Sequence, residues 1–200
     1  MRAAPAIAAV AALAVVAGCS GGSTAGTAQP APPPPAESPS QPSIARPLDP
    51  SRFLSDPCTL VSPQALSELG FTEPGKPKTE GSASVLGGPG CEWLIGREGI
   101  GLSVAVQTPN RDRGTGGLAG VRAALERGQL RFSEPGPDID GYPSVYAGLV
   151  DGRDSGRCTL WVGIADDLTF TATSVNRNRQ QSCDAAGKLA AAVVGTLKQS

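Results

Sequence analysis

The chain has 200 residues, and its 17 Lys and Arg against 18 Asp and Glu leave a formal charge of −1. So even a balance offers no basic field for a nucleic acid to recognise. The absence of any His removes Ser-His-Asp and Cys-His arrangements, and with them the commonest metal ligand.

The first residues read as an address. Arg2 precedes an apolar run from Ala3 to Ala17, the pattern of a signal peptide. That run falls short of the roughly 20 residues that span a bilayer. It closes on Val16-Ala17-Gly18-Cys19, which has the form of a bacterial lipobox. The expectation is a signal peptide over residues 1–18 and a lipid anchor on Cys19, which would hold the chain extracytoplasmic, on the outer face of the cell membrane. Two acyl chains anchor stably where one binds only marginally. Residues 19–51 hold Pro30, the run Pro32-Pro33-Pro34-Pro35, and Pro39, Pro42, Pro47 and Pro50 among Ser, Thr, Ala and Gly. Such a composition cannot bury enough apolar surface to order itself, which predicts a disordered tether. Extended at about 3.1 Å per residue, it reaches on the order of 100 Å.

Residues 52–200 have a globular composition, and about 150 residues suffice for one domain with its own core. Ser62-Pro63 opens a helix, with Ser62 as cap and Pro63 where a missing N–H costs nothing; Gly70 closes it. After a Gly- and Pro-rich loop, Cys91–Ile95 reads as a strand. Ile100, Leu102, Val104 and Val106 alternate along a second. Leu118, Val121 and Leu125 make a helical stripe that ends at Gly128. Ser144–Val150 alternates as a strand, and Cys158, Leu160, Val162 and Ile164 share one face of the next. The chain turns at Asp166-Asp167, returns along Leu168, Phe170 and Ala172, and enters a closing helix capped by Ser182, with Ala186, Leu189, Val193 and Leu197 as its stripe. Hairpins without a βαβ rhythm predict an α+β domain: an antiparallel sheet with its helices packed on one face.

With Cys19 assigned to lipid, Cys58, Cys91, Cys158 and Cys183 remain, an even number that predicts two disulfides in an exported domain. The hairpin brings the chain back beside Cys158 shortly before Cys183, so these two pair. Cys58–Cys91 follows by elimination. No Cys-x-x-Cys is present to suggest a redox dithiol or zinc site.

Asp56-Pro57-Cys58-Thr59-Leu60-Val61-Ser62, Leu69-Gly70, Gly90-Cys91-Glu92-Trp93, Gly141-Tyr142-Pro143 and the Cys183 helix together resemble a family of actinobacterial lipoproteins known only as a domain of unknown function. The resemblance spans most of residues 56–197. It implies an envelope-facing, disulfide-containing lipoprotein and brings no catalytic residues with it.

The chemistry is sparse. Asp138 with Asp140, Asp151 with Asp154 and Asp166 with Asp167 are the carboxylate pairs, and each falls where a turn is expected. None is read as catalytic; no metal site and no cofactor is expected. Trp161 sits opposite the apolar face of its strand, among threonines, and is a candidate contact residue unless a helix or the N-terminal segment covers it. Arg177 and Arg179, before the last helix, are candidate contacts for anionic envelope groups. The expected function is a non-enzymatic, lipid-anchored envelope protein that binds a protein or envelope component. A carrier of an apolar ligand between sheet and helices is the first alternative. A hydrolase using carboxylates alone is the second.

Overall fold

Alternation along one strand decides the architecture. Over Arg157–Ala165, Cys158, Leu160, Val162 and Ile164 have no exposed surface, while Thr159 and Trp161 between them are half-buried. A strand apolar on alternate residues must be covered on that face. In the computed structural model, which describes residues 43–96 and 99–200, it lies inside one antiparallel sheet.

Among the described residues seven strands form that sheet: β1 Lys76–Lys78, β2 Gly90–Ile95, β3 Ile100–Val106, β4 Phe132–Pro135, β5 Ser144–Gly148, β6 Arg157–Ala165 and β7 Leu168–Val175. Their order is β1-β2-β3-β7-β6-β5-β4. Register makes the apolar face continuous, because Trp93 pairs with Leu102, Val104 with Ala172, and Ala172 with Leu160. The helices are α1 Pro63–Glu68, α2 Gly81–Gly87, α3 Thr108–Asp112, α4 Gly117–Glu126 and α5 Arg179–Leu197.

The last helix covers the apolar face. Leu189, Ala190, Val193 and Val194 are fully buried against Leu160, Val162, Phe170 and Ala172, and the layer between helix and sheet is filled with side chains. The helix begins one turn earlier than its stripe suggests. Its cap is Asn178, whose Oδ1 accepts the Gln181 N–H at 3.0 Å, and Ser182 is buried inside the first turn, its hydroxyl donating to the Arg179 carbonyl at 2.9 Å. The cap is therefore not Ser182 but Asn178, a short polar residue four positions earlier whose side chain is free to turn back onto the helix amides.

The α+β class and the antiparallel sheet are as expected, but the helices divide between both faces. Leu118 and Val121 of α4 are buried on the side opposite α5, against Ala147, Val145 and Trp161. The reason lies in the strand: Trp161 gives that face an apolar centre, and Gly163 leaves room beside it. A Cβ on Gly163 would stand 3.1 Å from Leu118 Cδ1. Gly117, at φ +68°, lets α4 start against the β6–β7 turn, where a Cβ would lie 1.9 Å from the Asp166 carbonyl oxygen.

Residues 43–51 lie against the domain, ahead of the expected boundary at Arg52. Ile44 donates its N–H to Asp166 Oδ1 at 2.7 Å, Leu48 donates to the Ile164 carbonyl at 2.9 Å, and the Tyr142 hydroxyl donates to the Arg46 carbonyl at 2.8 Å. Ile44 and Leu48, two large apolar side chains at the end of a Pro-rich stretch, pack on the core. The signal peptide, Cys19 and the rest of the tether lie outside the described residues.

Both expected disulfides are present, Cys58–Cys91 at 2.07 Å and Cys158–Cys183 at 2.12 Å. The first ties the segment before α1 to β2, and the second ties the first turn of α5 to β6. The helix cap read from Ser62 is also in place: its side chain accepts the Ala65 N–H at 3.2 Å, and Gly70, at φ +85°, ends the turn. Ser62→Ala is expected to cost about 1 kcal/mol, a fall of about 2–4 °C in Tm that calorimetry will read. An unchanged Tm would mean that the cap contributes nothing.

Candidate functional site

The described carboxylates are mostly at work in the fold. Asp138 Oδ1 accepts the Gly141 N–H at 2.6 Å, closing an Asp-Gly turn in which Asp140 itself has φ +53°. Asp166 holds the incoming chain at Ile44, and Asp154 pairs with Arg179 at 2.9 Å. One arrangement is different, because it buries a charge.

Arg153 lies in a short 3-10 turn, Arg153–Ser155, between β5 and β6, and only 5% of it is exposed. Asp151, two residues earlier, shapes the turn by accepting the Arg153 backbone N–H at 3.2 Å, the usual local bond of an Asp before a Gly. It then accepts the Arg153 Nε–H at 2.7 Å and one Nη2–H, a two-pronged pairing. Glu134, on β4, accepts from Nη2 at 2.8 Å. The guanidinium lies over the rings of Phe132 and Tyr146, at 5.5 and 5.2 Å from their centroids. Register explains the meeting: Phe132 pairs with Gly148 and Glu134 with Tyr146, which puts an aromatic residue and an acid of the edge hairpin on the α5 side.

This clasp sets the local electrostatics. The hydrogen bonds from Arg153 hold the Asp151 carboxyl down from 3.8 to about 2. Burial pushes the Tyr146 phenol above its ordinary value, partly offset by the Arg153 charge. A carboxylate held that low stays ionised and cannot serve as a proton donor near neutrality. Asp151 and Glu134 together hold the Arg153 guanidinium as a charge clasp.

Beside the clasp runs an open groove of about 550 Å³ between the β4–β5 hairpin and α5. Pro137, Ile139 and Tyr146 supply its apolar floor, and Arg179, Asp184 and Lys188 line it from the helix. An apolar floor edged by charged and amide side chains suits binding of a ligand or a peptide segment.

The candidate contacts fall in different places. Trp161 is half-buried beneath α4 and donates its indole N–H to the Ala147 carbonyl at 3.1 Å, so a helix covers it. Arg179 is on the groove and ion-paired with Asp154. Arg177 is exposed in the loop before α5, its N–H donating to Asn176 Oδ1 at 2.7 Å. The reading from sequence missed Arg153, Glu134 and Tyr146. The only signal was the turn Asp151-Gly152-Arg153-Asp154, because β4 is too short to show a period.

No curated protein and no solved structure matches the chain. One family model matches residues 14–196, described as "Protein of unknown function (DUF3558)".

Proposed function

The chain belongs to this family of unknown function, and we propose that it is a non-enzymatic cell-envelope protein, tethered through lipid on Cys19, that binds a protein or envelope component in the groove beside α5. The groove itself carries the reading: an apolar floor of Pro137, Ile139 and Tyr146 faces Arg179, Asp184 and Lys188 on one helix. Two disulfides within the domain agree with an oxidising compartment. The carrier reading needs an apolar cavity between sheet and helix, and that layer is occupied by Leu160, Val162, Phe170, Leu189 and Val193. The hydrolase reading needs two carboxylates facing one another across a cleft, and Asp184 is the one carboxylate among the side chains that line this groove.

A photo-crosslinking residue at Gln180 or Lys188, used in intact cells, is expected to give a discrete adduct that the same residue at Glu126 on α4 does not give. Adducts that are equal at all three positions, or absent at Gln180 and Lys188, would overturn the groove as the binding surface.

The anchor has its own test. Cys19→Ala is expected to block acylation and cleavage after Gly18 while leaving both disulfides formed, because neither involves Cys19. Inhibiting lipoprotein signal cleavage should accumulate the longer form of the wild-type chain. Wild-type protein that still reaches mature size under inhibition would rule the lipobox out.

A further inference from the structure

The turn that Arg153 clamps carries two side chains that the fold does not use. Leu149 is 65% exposed and Val150 is 78% exposed, adjacent residues just after β5. The loop that carries them is tied at several points. Arg131 donates its N–H to the Gly148 carbonyl and Arg157 donates to the Gly152 carbonyl, each at 2.9 Å. Asp151, the next residue after Val150, is held by the buried Arg153. These bonds hold the chain on either side of the apolar pair.

The charges beside the tip are sorted. Arg131, just before β4, and Arg157, the first residue of β6, are exposed, and Arg127 follows α4 a few residues before Arg131. The nearby acids are engaged elsewhere: Glu134 and Asp151 with Arg153, and Asp154 with Arg179. Two apolar side chains between exposed arginines match a surface with acyl chains beneath negative headgroups.

We propose that the Leu149–Val150 tip, flanked by Arg131 and Arg157, rests on an anionic lipid surface. Leu149 and Val150 reach the boundary of the acyl layer, and the two arginines meet headgroup phosphates. From the tethered reading it takes only the nearness of a bilayer; the groove and its occupant play no part.

The test uses the full chain carrying Leu149→Trp, mixed with vesicles whose acyl chains are brominated; the wild-type chain provides the background of Trp93 and Trp161. In vesicles containing phosphatidylglycerol the added indole is expected to be quenched, and raising the salt should reverse this. Arg131→Glu with Arg157→Glu should abolish it, and neutralising either arginine should weaken vesicle binding by about fivefold. Equal quenching in pure phosphatidylcholine, or none while the protein floats with anionic vesicles, would overturn the proposal; so would quenching that survives the double charge reversal. Flotation of the acylated wild-type chain with neutral vesicles reads the anchor separately, so a failed anchor and a failed tip give different results.

Discussion

Replacing Cys58, Cys91, Cys158 and Cys183 together by Ala is expected to leave the domain largely unfolded. The bonds close separations of 33 and 25 residues, and chain entropy alone assigns each about 3.5 kcal/mol. Their sum of about 7 kcal/mol is comparable to the whole stability of an ordinary domain, about 5–15 kcal/mol. Removing one bond should leave a folded protein with Tm lower by about 7–14 °C. The two single losses should differ in place. Without Cys158–Cys183, amide exchange should quicken in the first turn of α5, from Arg179 onward, while Leu189 to Leu197 stay protected by the sheet. Without Cys58–Cys91, the quickening should fall on the segment leading into α1 and on β1, whose only strand neighbour among the described residues is β2. Calorimetry and exchange on the three variants check this. A four-fold variant that melts within a few degrees of the wild type would show that packing alone holds the domain.

What the sequence makes legible follows from burial. Strands β3, β6 and β7 each bury one face, so their alternation is strict and their register is forced, since a slip of one residue would turn Leu160 and Val162 outward. The same alternation placed Cys158 on the covered face and led directly to its partner. Elements that bury little leave no period. β1 is Lys76-Pro77-Lys78, exposed throughout and proline-bearing, an edge strand visible only through its pairing with β2. α2 and α3, of seven and five residues, are too short for a stripe. The covering of Trp161 was undecidable locally, because it depends on α4 crossing a face that Gly163 keeps low. The clasp was hidden for a related reason. Arg153 in a Gly-rich turn reads as solvated, and its burial comes from Phe132, Glu134 and Tyr146, brought over by a hairpin register that no single segment encodes.

Arg153→Ala is expected to cost about 2–3 kcal/mol, well beyond what a surface arginine contributes. The loss combines hydrogen bonds to charged acceptors with the stacking on Phe132 and Tyr146. It stays below the extreme for a broken buried pair because Asp151 and Glu134 keep side-chain exposures of 38% and 56%, and water can take over their charges. The pH dependence identifies the mechanism. Asp151 is depressed from 3.8 to about 2, so its contribution is fully present above 3.8 and disappears as pH falls to about 2. Urea unfolding at a series of pH values should therefore show the wild type and Arg153→Ala far apart near neutrality and drawing together through that acid window. Arg153→Lys should recover little, since an ammonium cannot grip Asp151 with two prongs and still reach Glu134. If the gap between wild type and Arg153→Ala stayed constant down to the acid limit, the arginine would act through packing on its two rings, and the charge clasp would contribute nothing to stability.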